Sequence, residues 1–302
     1  MSRKPKILIL VGPTSSGKSA LAVGLAQKFN GEIISADSRQ VYRGLNIGTG
    51  KITKREMKGI PHHLLDVASP RKTFSAHDYL IHTNHAIAEV VCRGKLPILC
   101  GGTGLYLDVL TGRIPLPNVR PNPALRAHLE KKPAAELLAM LKKRDPRRAT
   151  SMSTPSERNN KVRLVRALEI AATSGGVPSV TESLPYDALW LGIARPMKVL
   201  EKKISMRLHA RIKQGMITEA KRLHKAGLSY KRMEALGLEY RYLASLLQGN
   251  ITREQMIEKL QRSIRKYAKR QIVYWKRNKD IVWFRDPRMP RISKGVGVWL
   301  KK

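Results

Sequence analysis

Three apolar runs stand out in the first hundred residues: KILILV (6–11), GEIIS (31–35) and LPILC (96–100). None alternates apolar with polar positions along its length, which is the pattern of short strands covered on both faces of a sheet. Each runs into a turn of small polar residues or glycine: GPTSSGKS, ADS and GGTG. Helical patterning fills the intervals, from about Lys18 to Phe29 and from about Ala76 to Arg93. Strand and helix in alternation predict a parallel sheet with right-handed crossovers.

After Gly112 the texture changes. IPLPNVRPNP (114–123) carries four prolines and reads as a linker. Residues from about Ala124 to Ser174 read as helical and basic, ending at SGG (174–176), and ALWLGIAR (188–195) reads as a strand returning to the sheet. The expected organisation is a core of residues 1–117 and 187–302 interrupted by a helical insertion domain over 118–186. Thr252 and Gln255 form a capping box that opens a long helix over about 253–277. Ile257, Leu260, Ile264 and Tyr267 mark its expected buried stripe; Arg262, Lys266 and Lys269 recur on another face. No apolar run approaches the roughly 18–20 residues that span a bilayer, so no membrane partner is expected.

Composition adds one strong fact. Lys+Arg number 58 against 22 Asp+Glu, a formal net charge of +36. Such an excess points to a polyanionic partner, nucleic acid first. It is pronounced in two separate segments, Arg120 to Ile170 and Arg253 to Lys302. Cys92 and Cys100 make no zinc or disulfide pattern, and the N-terminal apolar stretch lacks the layout of a signal peptide. The expected setting is reducing and cytoplasmic.

The chemistry lies in the turns. GPTSSGKS fits G-x-x-x-x-G-K-[ST], placed between a strand and a helix as a phosphate-binding loop requires. Backbone N–H groups of residues 14–19 can face phosphate oxygens, the helix N-terminus adds a favourable dipole, Lys18 adds a charge, and the Ser19 hydroxyl suits Mg²⁺. The expected fold class is therefore α/β, a P-loop NTPase-like parallel-sheet core with a helical insertion. Asp37 falls at the carboxyl end of the second strand, the edge that faces the ligand crevice in such sheets. It can serve as a general base, as an outer contact to Mg²⁺, or as a turn-capping residue. Gly101 and Gly102 allow close backbone approach, and the Thr103 hydroxyl can donate to a phosphate or leaving-group oxygen. An apolar strand ending in Asp or Glu, common where a nucleoside triphosphate holds Mg²⁺, is missing, and HLLD (63–66) and VWFRD (282–286) are poor substitutes. His62-His63 lacks further ligands at metal-binding spacing. IRKYAKRQIVYWKRNK interleaves basic residues with Tyr267, Tyr274 and Trp275, suited to stacking on unpaired bases or to an aromatic core side.

Taken in order, GPTSSGKS, ISADSRQVYRGLNIGTGK, PHHLLD, PILCGGTGLYL, VRLVRALEI and RKYAKRQIVYWKR resemble the tRNA dimethylallyltransferase family in its short bacterial form, over nearly the whole chain. That resemblance implies transfer of a dimethylallyl group from dimethylallyl diphosphate to N6 of the adenosine at tRNA position 37, beside the anticodon. It implies that the phosphate loop (Gly12, Thr14, Ser15, Ser16, Gly17, Lys18, Ser19) holds a diphosphate, with Mg²⁺ on Ser19. Asp37 matches the general base; Thr103 and Arg207 match the groups stabilising the departing diphosphate. Asp37, Ser38, Arg39, Gln40 and Thr103 match the segment reading the target base. Arg126, Arg163 and Arg166 fall where the insertion meets the anticodon stem-loop of the tRNA. The expected state is a monomer. Asn46 stands where the family usually has Asp, and Leu238 where it commonly has Tyr.

Two other readings stay open on the residues alone. One is a phosphotransferase with Asp37 as base for a hydroxyl acceptor, and the other is an RNA-binding protein whose loop recognises a phosphate without catalysis.

Overall fold

The protein is described here by a computed structural model covering residues 4–174, 185–285 and 289–302. The end of the expected SGG stop and the last residue of VWFRD lie outside the described residues. The chain divides into two compact units, Met1–Thr111 with Pro185–Lys302, and Gly112–Leu184.

The first unit begins with β1 (Lys6–Val11), α1 (Lys18–Lys28), β2 (Gly31–Ala36), the short α2 (Lys54–Met57), β3 (His62–His63), α3 (Ala76–Cys92), β4 (Leu96–Gly101) and α4 (Gly104–Leu110). The second unit holds α5 (Pro123–Glu130), α6 (Ala134–Arg144), α7 (Pro146–Ser151), α8 (Pro155–Arg158) and α9 (Lys161–Ser174). The chain then returns with β5 (Asp187–Ile193), α10 (Met197–Lys213), α11 (Met216–Lys225), α12 (Tyr230–Leu236), α13 (Leu238–Leu247), α14 (Arg253–Trp275), β6 (Val282–Phe284) and α15 (Met289–Lys301).

The strands form a six-stranded sheet in the order β3-β2-β4-β1-β5-β6. Every pairing is parallel. The continuous apolar runs follow from burial on both faces. Ile7, Ile9, Val11, Ile34 and Leu99 pack toward α3, α4 and Trp275, while Leu8, Leu10, Ile33, Ile98 and Cys100 pack toward α1 and α15. A third apolar cluster, all helical apart from Val41, Tyr42, Leu45 and Leu228, gathers α10 to α14.

The structure places the histidine pair and adjusts two expectations about α14. His62 and His63 form the short edge strand β3, paired with Ile33 and Ile34 of β2. The His63 imidazole lies 2.7 Å from Glu32, which also binds Arg93 and Lys95. Helix α14 ends at Trp275, and its buried stripe is Met256, Leu260, Ile264, Ala268, Gln271 and Trp275. Ile257 and Tyr267 are half-buried beside that stripe, because the helix turns about 100° per residue and their positions fall on its border.

In the second unit, Leu129, Leu137, Leu141, Leu164 and Leu168 form a small core of their own. Proline opens α5, α7 and α8 at the first turn, where its missing N–H costs no helical bond.

Candidate active site

Parallel strands deliver their carboxyl ends to one edge, and the turns leaving that edge carry the predicted chemistry. The loop Gly12–Gly17 leaves β1, the segment from Asp37 leaves β2, Gly102–Thr103 leaves β4, and Arg195 follows β5. Strand order places β1 between β4 and β5, and β4 beside β2. The four turns therefore stand side by side although they are far apart in sequence.

The phosphate loop takes the shape its sequence permits. Ser15 adopts φ 62° and Gly17 φ 96°, both left-handed, and Gly17 is the N-cap of α1 with no side-chain cap. The helix therefore starts with bare N–H groups and a positive dipole end directed at the loop. Two of the N–H groups expected to face a phosphate do not. Ser16 N–H donates to Pro13 O at 3.2 Å, closing the turn, and Thr14 N–H donates to Gln271 Oε1 at 2.8 Å. Those of Ser15, Gly17, Lys18 and Ser19 remain. Arg195 Nε braces the loop from outside through Ser16 O at 3.1 Å. The Ser19 hydroxyl belongs to an exposed residue at the first turn of α1.

Lys18 Nζ folds back to Pro13 O at 3.4 Å. Burial lowers its pKa; the neighbouring Cys100 and Asp37 oppose that shift and Arg207 adds to it. These couplings gather Lys18, Asp37 and Arg207 into one electrostatic neighbourhood. Burial pushes the Cys100 thiol up to about 11, which leaves it a protonated core residue.

Asp37 begins a turn that its own side chain organises. Oδ1 accepts from Arg39 N–H at 2.8 Å and Gln40 N–H at 3.3 Å, an Asx-type closure. Oδ2 takes no hydrogen bond among the described residues. One oxygen is fixed by backbone and the other is open, which is the arrangement a general base needs. Thr103 is locked twice: its N–H donates to Ala36 O at 3.1 Å, and its Oγ1 accepts from Ser38 N–H at 3.0 Å. With Oγ1 already accepting, the hydroxyl proton is free to donate away from the protein. A Cβ on Gly102 beside it would stand 2.1 Å from Gln271 Nε2, so a side chain there would have to displace that amide.

Arg207, on α10, is exposed and makes no hydrogen bond or ion pair among the described residues. Surrounding protein still lowers its pKa, followed by the like charge of Arg211, with Glu56 and Glu239 opposing. A guanidinium that is accessible and unpaired is available to an anion. Arg211 beside it is committed: it donates to Gly48 O at 2.9 Å and Glu239 Oε1 at 3.0 Å. The Asn46–Gly48 backbone is held by Glu219, which accepts from all three N–H groups and from Tyr240. Asn46 Oδ1 accepts from Lys51, so the Asp-to-Asn departure keeps a hydrogen bond there.

The family model described as "IPP transferase" matches residues 40–279. The chain belongs to this family.

Among IPP transferase relatives, tRNA dimethylallyltransferase 2 of Treponema denticola is 41% identical over 283 residues, 92% of this chain and 93% of that protein. The tRNA dimethylallyltransferase of Leuconostoc citreum is 36% identical over 298 residues, 98% of this chain and 99% of that one. The crystal structure of the full-length tRNA isopentenylpyrophosphate transferase of Bacillus halodurans superposes with a TM-score of 0.75 at 35% identity, covering 99% of this chain and 97% of that chain. A eukaryotic dimethylallyltransferase acting on tRNA gives a TM-score of 0.79 at 27% identity, over 93% of this chain and 73% of that chain. The phosphate loop and Asp37 precede the family-model match, and the near full-length relatives cover them.

The structure brings Lys18, Asp37, Thr103 and Arg207 together in the first unit. Ser38 lies in the same turn as Asp37, Gln40 closes it, and Arg39 approaches Gly237. Arg126, Arg163 and Arg166 belong to the second unit, where each has a protein partner. Arg126 forms a two-pronged bond to buried Glu169 at 2.9 and 2.7 Å, Arg166 binds the same carboxylate and Val119 O, and Arg163 pairs with Glu157 at 3.1 Å. Burial alone would raise Glu169; the bonds from Arg126, Asn122 and Arg166 outweigh it and hold its pKa at about 2. Arg126 and Arg166 thus fasten the start of α5 to α9, whatever else they touch.

Sequence reasoning missed Gln271, Arg195 and Glu219. A polar residue at a buried helical position was the available signal for Gln271. Trp275 proves to be core, 1% exposed.

Proposed function

We propose that this IPP transferase family member is a tRNA dimethylallyltransferase. It transfers the five-carbon group from dimethylallyl diphosphate to N6 of the adenosine at position 37, in the anticodon stem-loop, and releases diphosphate. The observation carrying this reading is the convergence of four groups on one sheet edge: Lys18, Asp37 with one oxygen open, Thr103 with its hydroxyl free to donate, and unpaired Arg207. Family membership supports the donor and acceptor classes.

The division of labour follows from the chemistry. An exocyclic amine of adenine is a weak nucleophile because its lone pair is delocalised into the ring. Asp37 Oδ2 accepts the N6 proton as the N6–C1 bond forms. The C1–O bond breaks and its electron pair leaves with the diphosphate. Thr103, Arg207, Lys18 and the N–H groups of the loop stabilise the charge that builds on the leaving oxygens. A stacked base cannot reach such a cleft, so the adenosine must be turned out of the loop stack.

Mg²⁺ belongs to the proposal. Ser19, an exposed residue at the loop end, would be the residue to hold it. Among the described residues no three acidic, His or Cys side chains cluster to hold a metal. Ser19 would hold such an ion together with the bound diphosphate. When bound, it would neutralise diphosphate charge. The reading also takes the enzyme to act as a monomer in the cytoplasm, where free Cys92 and Cys100 stay reduced. No described helix is long and apolar enough to cross a membrane.

The test against the phosphotransferase reading is direct. Dimethylallyl diphosphate and ATP are each incubated with the protein, Mg²⁺ and unmodified tRNA, and released diphosphate and phosphate are measured. Release of diphosphate from the allylic donor, dependent on tRNA, is expected. Turnover of ATP with an inert allylic donor would overturn the proposal.

A further inference from the structure

Gln271 is 6% exposed and sits in the apolar stripe of α14, with Ile264, Ala268 and Trp275 at helical spacing around it. Packing alone favours an apolar residue at such a position. The carboxamide is instead used at both ends. Oε1 accepts from Thr14 N–H at 2.8 Å, and Nε2 donates to Gly102 O at 3.0 Å. These partners fix its orientation, because a flipped amide would set donor against donor and acceptor against acceptor. One bond ends in the phosphate loop that carries Lys18. The other ends on the residue before Thr103. The same stretch of helix is anchored independently: Tyr274 donates to Asp108, and Trp275 is buried against Trp190 at a ring separation of 6.0 Å.

We propose that Gln271 is a positioning residue for the transfer reaction, a brace that sets the phosphate loop and the Gly102–Thr103 turn in one register. The inference rests on the functional reading above. Lys18 and Thr103 must act on the same diphosphate, yet they leave different strands on separate turns. Alignment is what this reaction asks of the protein, and displacement by an ångström is costly even when every reacting group is present. Gln271 reaches both turns from rigid helix rather than from a loop. It also removes the Thr14 N–H from the loop's anion-binding set, so the cradle is formed by Ser15 and the residues from Gly17 to Ser19.

The test uses Gln271→Met, which preserves length and unbranched shape but abolishes both hydrogen bonds, with Gln271→Leu as a second apolar variant. Four quantities are measured on the full chain: thermal midpoint, affinity for inorganic diphosphate, affinity for tRNA, and kcat with dimethylallyl diphosphate. For Gln271→Met we expect kcat to fall by about 10²-fold and diphosphate affinity to fall several-fold, with tRNA affinity held within about twofold at temperatures where the variant stays folded. Unchanged kcat and diphosphate affinity in either folded variant would overturn the inference, and so would a loss of kcat that merely tracks loss of folded protein or of tRNA affinity. Wild-type protein that binds diphosphate but transfers no prenyl group would overturn the functional reading instead. The role of Gln271 would then be decided by diphosphate affinity alone.

Discussion

At the scale of a single residue, Asp37 is the proposed base. Its Oδ1 is spent on two backbone N–H groups, which orients the carboxylate, and Oδ2 takes no hydrogen bond among the described residues. Asp37→Asn keeps the turn, since an amide oxygen can accept the same two bonds, and removes the base. The expected outcome is a fall in kcat of about 10²–10⁴-fold with tRNA affinity nearly unchanged, read by single-turnover kinetics beside a binding titration. Loss of tRNA binding in step with kcat would assign Asp37 to recognition instead. Much of this was legible in the sequence, because the residue after a buried strand in an α/β sheet points to the crevice. Arg207 was not: nothing in KKISMRLHARI separates one arginine from the next, and only the resemblance singled it out. The structure gives the physical difference. Arg211 is tied to Gly48 and Glu239, while Arg207 is left open.

At the scale of elements, the strands were the most readable features, since a run such as KILILV admits few alternatives. The stripe of α14 was read slightly off its axis because Met256, Ala268 and Gln271 do not announce themselves as core, whereas Ile257 and Tyr267 do. The edge of β2 carries a second polar device, away from the catalytic end. Glu32 is 2% exposed and is bound by Arg93 at 2.7 Å, Lys95 at 2.8 Å and His63 at 2.7 Å. Burial alone would raise its pKa; the bonds from Arg93, Lys95 and His63 outweigh it and bring it from 4.5 to about 2. A carboxylate depressed in the folded state stabilises above its unfolded pKa and loses that stabilisation as pH falls through the folded value. The wild type should therefore lose stability between pH 4.5 and about 2 at this site. Glu32→Gln should cost about 2 kcal/mol at neutral pH, less than a fully buried pair because Arg93 and Lys95 reach water, and should flatten the acid limb. Thermal midpoints of both proteins across that range decide it, and parallel curves would contradict the assignment.

For the whole molecule, the charge of +36 predicts the character of tRNA binding rather than its site. Phosphate contacts release counterions, so log affinity should fall linearly with log salt, by about 0.7–0.9 per phosphate contacted. A flat titration would mean that the basic excess serves something other than the tRNA. The decisive measurement is transfer itself: purified protein, Mg²⁺, radiolabelled dimethylallyl diphosphate and unmodified tRNA with an A-rich anticodon loop, followed by nuclease mapping of the label. The expected result is label on the adenosine beside the anticodon, at N6. Absence of label from tRNA that the protein demonstrably binds, or label at another nucleotide, would contradict the proposed reaction.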